Sequence, residues 1–418
     1  MFIYTVKSGD TLSEIAQRYK INQINIITDN DLKAPYTLLV GQCLIIDIPS
    51  LDYIVKGGDT FSSLSKEFNI SIDKIKRKNN ISSLNKGQRI TFDYSNKNKY
   101  EIYSNGYCYQ GIKEGVISKY QSFLSTISPF TYRVQEDGSL DSFQITSTIK
   151  NSKIDKVMVI ANIKEKGGFS GEISHQILSN SKKKSILINN CVEIIKKENF
   201  KMLNIDFEYV KQEDKDLFTT FIIDMKAKLN EINIPLSVCL APKTSSFQKG
   251  LLYEAHDYQK IGQVADYLIL MTYEWGYTYG EPMAVSPLPQ VKDVIRYAKS
   301  VVPKEKIIMG IPNYGYDWKL PYKKGTPADS ISINEAYDLA IKEKVEIKHS
   351  SSYLTPYYNY VDSQEIKHVV HFDDACSYKE KLELIIREEI GGLSIWTITN
   401  SNIQLTKLID YYFSIKHL

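Results

Sequence analysis

Eight short β-forming runs, spaced by helical stretches and all downstream of Tyr100, leave few folds open to this chain. The runs are Ile102–Tyr109, Ser122–Ser128, Lys156–Ala161, Met202–Phe207, Leu236–Leu240, Tyr267–Thr272, Lys306–Ile311 and Leu393–Thr397. Helical patterns separate most of them, as in Ser181–Lys197, Glu213–Asn230, Gln290–Ser300 and Ser377–Glu389. Alternation of this kind predicts a parallel sheet, and eight repeats predict an α/β fold closed into a (β/α)8 barrel. The rival is an open doubly wound sheet, but no glycine-rich phosphate loop follows the first strand. The segment is longer than a minimal barrel of roughly 250 residues. Its excess falls at Ser350–Phe372, rich in tyrosine and β-formers, which predicts a small β-rich insertion walling the cleft after the seventh strand.

Upstream, a motif occurs twice. Tyr4-Thr5-Val6-Lys7-Ser8-Gly9-Asp10-Thr11-Leu12-Ser13 returns as Tyr53-Ile54-Val55-Lys56-Gly57-Gly58-Asp59-Thr60-Phe61-Ser62. Each copy reads as strand, turn, helix, helix, strand. Gly9 and Gly58 supply the turn; Asp10-Thr11 and Asp59-Thr60 carry oxygens suited to capping the next helix. The copies resemble LysM domains, small βααβ modules that bind N-acetylglucosamine polymers. That resemblance implies glycan contacts around Gly9, Asp10, Thr11, Leu12 and Asn30, and around Gly58, Asp59, Thr60, Phe61 and Asn79. A purely structural repeat is the other reading. The expected division is residues 1–49 and 50–94 for the repeats, a polar linker at 95–99, and the barrel over 100–418.

The balance of charge restricts the partners. With 52 basic and 49 acidic residues the net charge is +3, without the basic excess of nucleic-acid proteins. No apolar run reaches the length of a membrane helix. The five cysteines, Cys43, Cys108, Cys191, Cys239 and Cys376, are scattered and odd in number, so neither a disulfide framework nor a zinc site is expected. No cofactor or metal is expected. The N-terminus lacks a basic start followed by an apolar segment, so synthesis without Sec export is expected.

The fourth run, Leu203-Asn204-Ile205-Asp206-Phe207-Glu208-Tyr209, ends in acids. Side chains alternate along a strand, so Asn204, Asp206 and Glu208 share one face, roughly 6.5–7 Å apart. Two carboxylates pointing into a barrel are costly unless paired or used. Both approach a substrate from one side, which suits poorly an acid and a nucleophile flanking the scissile bond. The run resembles the D-x-x-D-x-D-x-E signature of glycoside hydrolase family 18, the chitinase family, with Asn204 and Lys201 in place of two aspartates. The resemblance implies that Glu208 is the general acid and base, that Asp206 orients the substrate's acetamide, and that the acetamide is the nucleophile. Met271-Thr272-Tyr273-Glu274 looks like the segment whose tyrosine donates to the acetamide oxygen, giving Tyr273 that role. Trp396, in the last strand, matches the floor under the reacting sugar, and Lys166-Gly167-Gly168-Phe169 matches the family's glycine pair.

Asn204, Met271, Glu274, Trp275, Asn313, Tyr314, Asp317, Trp318 and Trp396 complete the expected substrate site. The run from Gly310 to Pro321, with tandem repeats upstream, is similar to the spore cortex-lytic branch of the family. That implies an N-acetylglucosaminidase acting on peptidoglycan of the spore cortex during germination, made in the mother cell and kept in the spore. A non-catalytic glycan-binding coat protein and a chitinase are the alternatives.

Overall fold

The computed structural model describes residues 1–96, 98–141 and 143–417; Lys97, within the expected linker, lies outside them. Eight strands form the barrel: β1 (Tyr100–Cys108), β2 (Thr126–Pro129), β3 (Asp155–Ala161), β4 (Met202–Asp206), β5 (Leu236–Leu240), β6 (Tyr267–Leu270), β7 (Ile307–Pro312) and β8 (Gly392–Trp396). Neighbours pair in parallel in chain order, and β8 closes on β1 with Gly392 opposite Tyr103. The barrel expected from the alternation is therefore present, and each of the eight expected runs overlaps one of its strands.

Alternation along β4 sorts its side chains. Leu203, Ile205 and Phe207 face the outer helices, and Phe207 lies near Phe218 and Phe221, with ring centroids 6.0 and 5.7 Å away. Met202 faces the bore with Val157, Val159 and Ile269. Asn204 and Asp206 are buried on that same inner face.

The insertion is larger than Ser350–Phe372. It begins at Gly315, directly after β7, and builds a five-stranded antiparallel sheet with the helix Ile333–Lys342 against it. Its first strand, Gly315–Leu320, pairs with Lys367–His371, so part of the run read as cleft lining belongs to the insertion's own sheet.

At the front, two strand–helix–helix–strand units follow each other, Phe2–Ile46 and Ser50–Asp93, each closed by an antiparallel pair. Thr11 accepts from the Glu14 amide at 3.2 Å and Glu14 accepts from the Thr11 amide at 3.1 Å, a reciprocal cap. Asp10 and Asp59 do not cap the helices as expected. Asp10 takes the Tyr4 hydroxyl (2.6 Å) and the Lys7 amide (2.8 Å); Asp59 takes the Tyr53 hydroxyl (3.0 Å) and the Lys56 amide (2.6 Å). Both carboxylates therefore pin the turn itself, where Gly9 and Gly58 hold positive φ.

The first unit is docked on the barrel. Ile3 and Ile45 belong to the barrel's hydrophobic core, and Gln404 donates to Asn30 Oδ1 (2.9 Å) and the Cys43 carbonyl (2.8 Å). Cys43 and Cys376 form a disulfide across 333 residues, contrary to the expectation from spacing. Spacing tests only local pairing; here the topology brings distant residues together. The stretch after the second unit is also held, with Asn96 donating to the Tyr411 carbonyl at 2.8 Å. No helix among the described residues is long and apolar enough to cross a membrane.

Candidate active site

The C-terminal ends of β4 and β6 bring Glu208, Tyr273 and Glu274 to one cleft, lined further by Pro242, Tyr253, Met271 and Trp275, with Asp206 buried beside Glu208 and Tyr273. Asp206 is buried and its Oδ1 has no hydrogen-bond partner among the described residues. Burial pushes its carboxyl up to about 7, with the Cys239 thiol opposing. Glu208 is held well above the usual carboxylate range, first by burial and then by the charges of Asp206 and Glu274. Two neighbouring carboxyls in such surroundings resist ionising together.

Below them a paired polar group sits among the apolar side chains of the bore. Asn204 accepts from the Tyr107 hydroxyl (2.9 Å) and donates to Ser237 (2.9 Å), so its amide is spent inside the barrel and does not reach the cleft. Tyr273 packs its ring against Gly310, where an added Cβ would sit 2.7 Å from the ring. Its hydroxyl pKa lies well above the ordinary tyrosine value, chiefly through burial, so it remains a donor. Glu274 stands at the mouth with positive φ and accepts from the Tyr314 and Tyr316 hydroxyls, the latter at 2.9 Å. Those bonds oppose the rise that its desolvation causes. Trp396 sits edge-on to Phe130 and Tyr107, at 4.8 and 5.2 Å between centroids.

Several expected site residues lie elsewhere. Trp318 is 1% exposed and donates its indole N–H to the Gly280 carbonyl at 3.0 Å, tying the loop after β6 to the insertion. Asp317 is paired with His368 (2.8 Å) and the Tyr360 hydroxyl (2.6 Å) inside the insertion. Asn313 donates to the carbonyls of Thr397 and Asn400 and accepts from Asn402, fixing the loop after Trp396. Asn30 and Asn79 are turned inward: each amide donates to two backbone carbonyls, and each carbonyl accepts a strand N–H. Thr11 and Thr60 cap helices, while Leu12 and Phe61 pack partly on the core of the two units. Gly167 and Gly168 both take positive φ in a tight turn after β3.

Two supporting residues escaped the sequence reading. Asn162, just past β3, donates to the Glu208 carbonyl (2.7 Å) and accepts the Glu208 amide (2.9 Å), clamping that residue's backbone. The signal was a lone asparagine closing an apolar strand. His256 is fully buried; its Nδ1 accepts the Ala241 amide at 2.9 Å, so Nε2–H donates to the Phe207 carbonyl at 3.1 Å. Burial lowers its pKa from 6.5 to about 4. The unfolded chain therefore takes up a proton below pH 6.5 that the folded chain refuses until about 4. Stability from this group is intact above 6.5 and should fall by on the order of 3 kcal/mol as pH drops through that window. Denaturant unfolding at pH 7 and pH 4.5 should show the loss, and His256→Gln should shrink it; an equal loss in the variant would exclude His256 as its source.

A model of "Glycosyl hydrolases family 18" matches residues 65–401, and a LysM domain model matches residues 4–47. Among curated proteins, the cortical fragment-lytic enzyme of Bacillus cereus is 36% identical over 408 residues, covering 95% of this chain and 94% of its own. The cortical fragment-lytic enzyme of Bacillus subtilis (strain 168) is 35% identical, covering 99% of each. Among solved structures, the spore cortex-lytic enzyme SleL of Bacillus megaterium QM B1551 aligns over 100% of this chain and 99% of its own, with a TM-score of 0.87 and 38% identity.

Proposed function

The chain belongs to glycosyl hydrolase family 18, and from that premise we propose that it hydrolyses N-acetylglucosaminyl bonds in spore-cortex peptidoglycan fragments, by substrate-assisted retention. The observation that carries the reading is the single-sided placement of Asp206 and Glu208 on one strand end, with Tyr273 beside them. The substrate's own 2-acetamido oxygen supplies the missing nucleophile. Glu208, protonated, gives its proton to the leaving oxygen, and the acetamide oxygen closes on the anomeric carbon as that bond breaks. Asp206 accepts the acetamide N–H and Tyr273 donates to the acetamide oxygen, holding the group beneath the ring. Trp396 forms the floor, with Met271, Glu274, Trp275 and Tyr314 around it. Glu208, now a carboxylate, takes a proton from the water that opens the cyclic intermediate, which restores the β configuration.

The front units, residues 1–49 and 50–94, hold the glycan through the turns Gly9–Leu12 and Gly58–Phe61, and the barrel over 100–418 cuts it. The second unit repeats the architecture of the first, and this supports a LysM role for both. The names of the relatives support a place at the spore cortex.

The reacting sugar is N-acetylglucosamine, because muramic-δ-lactam locks its nitrogen in a ring and frees no acetamide to attack. Mass spectrometry of digested cortex fragments should find N-acetylglucosamine at new reducing ends. NMR should find the β anomer first, and a thiazoline mimic of the cyclised intermediate should inhibit. Reducing muramic acid, or an early α anomer, would overturn the assignment. Faster turnover on chitin oligomers would favour the chitinase reading.

A further inference from the structure

Outside the cleft lining, three separate segments converge on one cluster. Cys43 opens a strand of the first unit, His349 lies in the insertion, and Asp374 and Cys376 begin the helix Ala375–Glu388. The four potential ligand atoms all lie within 4.8 Å of one another. His349 Nε2 is 2.8 Å from Asp374 Oδ2 and 3.5 Å from Cys43 Sγ. Asp374 is fully buried and its other oxygen accepts the Ser377 amide at 2.9 Å, which fixes the carboxylate with Oδ2 toward the cluster. The backbones around it are pressed together: Ile347 donates to the Val40 carbonyl at 2.9 Å, and a Cβ on Gly41 would meet the Ile347 oxygen at 1.8 Å.

We propose that this cluster is a clasp with two closed forms: the Cys43–Cys376 disulfide when oxidised, and a four-coordinate Zn²⁺ site of Cys43, His349, Asp374 and Cys376 when reduced. Two thiolates, an imidazole and a carboxylate are the donor types that soft-to-borderline divalent ions take in tetrahedral sites, at about 2.0–2.3 Å from the metal. Donor atoms this close need only small displacements to surround one ion. The exchange balances. A thiol or phosphine reductant delivers two electrons, the S–S bond breaks, and the two sulfurs take up two protons. Zn²⁺ then displaces both protons and binds the thiolates. In reverse, a small-molecule disulfide accepts two electrons through a mixed disulfide at one cysteine; the second thiolate displaces it, and the ion leaves. Either form ties the first unit, the insertion and the barrel helix to one another.

The test uses the full chain, reduced with a phosphine under argon and titrated with Co²⁺. One equivalent should bind, with the intense visible bands of tetrahedral sulfur-ligated Co²⁺, and one equivalent of Zn²⁺ should erase them. The oxidised chain should show no bands. Cys43→Ser with Cys376→Ser should lose the sulfur bands, and His349→Ala or Asp374→Asn should weaken binding at least tenfold while near-ultraviolet circular dichroism stays native. The comparison of oxidised with reduced wild-type chain needs no variant to fold. If the reduced chain binds Co²⁺ no better than the oxidised chain, or if the bands survive loss of both cysteines, the metal form of the clasp is wrong.

Discussion

Turnover by Glu208→Gln should fall by about 10²–10⁴-fold, the usual contribution of a general acid, while glycan binding stays near the original level. Glutamine keeps the shape and a hydrogen-bonding edge but has no proton to give. Glu208 is held well above the usual carboxylate range by burial and by the charges of Asp206 and Glu274, which favours the protonated form that an acid needs. On the alkaline side, activity should therefore decline as pH rises past that elevated value. Kinetics on a short soluble cortex fragment, with binding followed by calorimetry, separates the two effects. Turnover within fivefold of the original chain would remove Glu208 from the acid role.

Asp206→Asn should lower kcat by about 10²–10³-fold with little change in KM, the expected loss when a group aimed at developing charge is removed. The pH profile gives a second readout. Asp206 is pushed up to about 7, so kcat/KM of the original chain should fall on the acid side of neutrality as the carboxylate is protonated. The variant should lose that acid limb. Its alkaline limb should move to lower pH, because the like charge that lifts Glu208 is gone. A variant that raises KM alone, with both limbs in place, would leave Asp206 as a binding group only.

The parts of this molecule legible in the sequence are those governed by short periods. A strand repeats every two residues, so the face shared by Asn204, Asp206 and Glu208 could be read from spacing alone. The eight barrel strands were legible as short β-forming runs spaced by helical stretches. Position along a loop carries no such period. Asp317 and Trp318 stand a few residues beyond β7 and were expected at the cleft, yet the chain turns at Gly315 into the insertion and buries both there. Asn30 and Asn79 were expected near the glycan, but each amide bonds the backbone at the end of a helix. Cys43 and Cys376 were unreadable as a pair, since nothing local relates residues 333 apart. Asn162 was overlooked because its role, bracing the Glu208 backbone from the neighbouring strand, exists only once β3 and β4 are side by side.

The docking of the first βααβ unit changes what such a unit contributes. A binding module on a slack tether raises local concentration and is indifferent to direction. Here Ile3 and Ile45 sit in the barrel's core and Gln404 bonds Asn30, so the module is mounted and its bearing relative to the cleft is set. Under the proposed glycan-binding role, a mounted module presents a held strand to the cleft from a fixed bearing, where a tethered one would not. On that role, residues on the seam between module and barrel set the approach of a polymer as well as the stability of the contact.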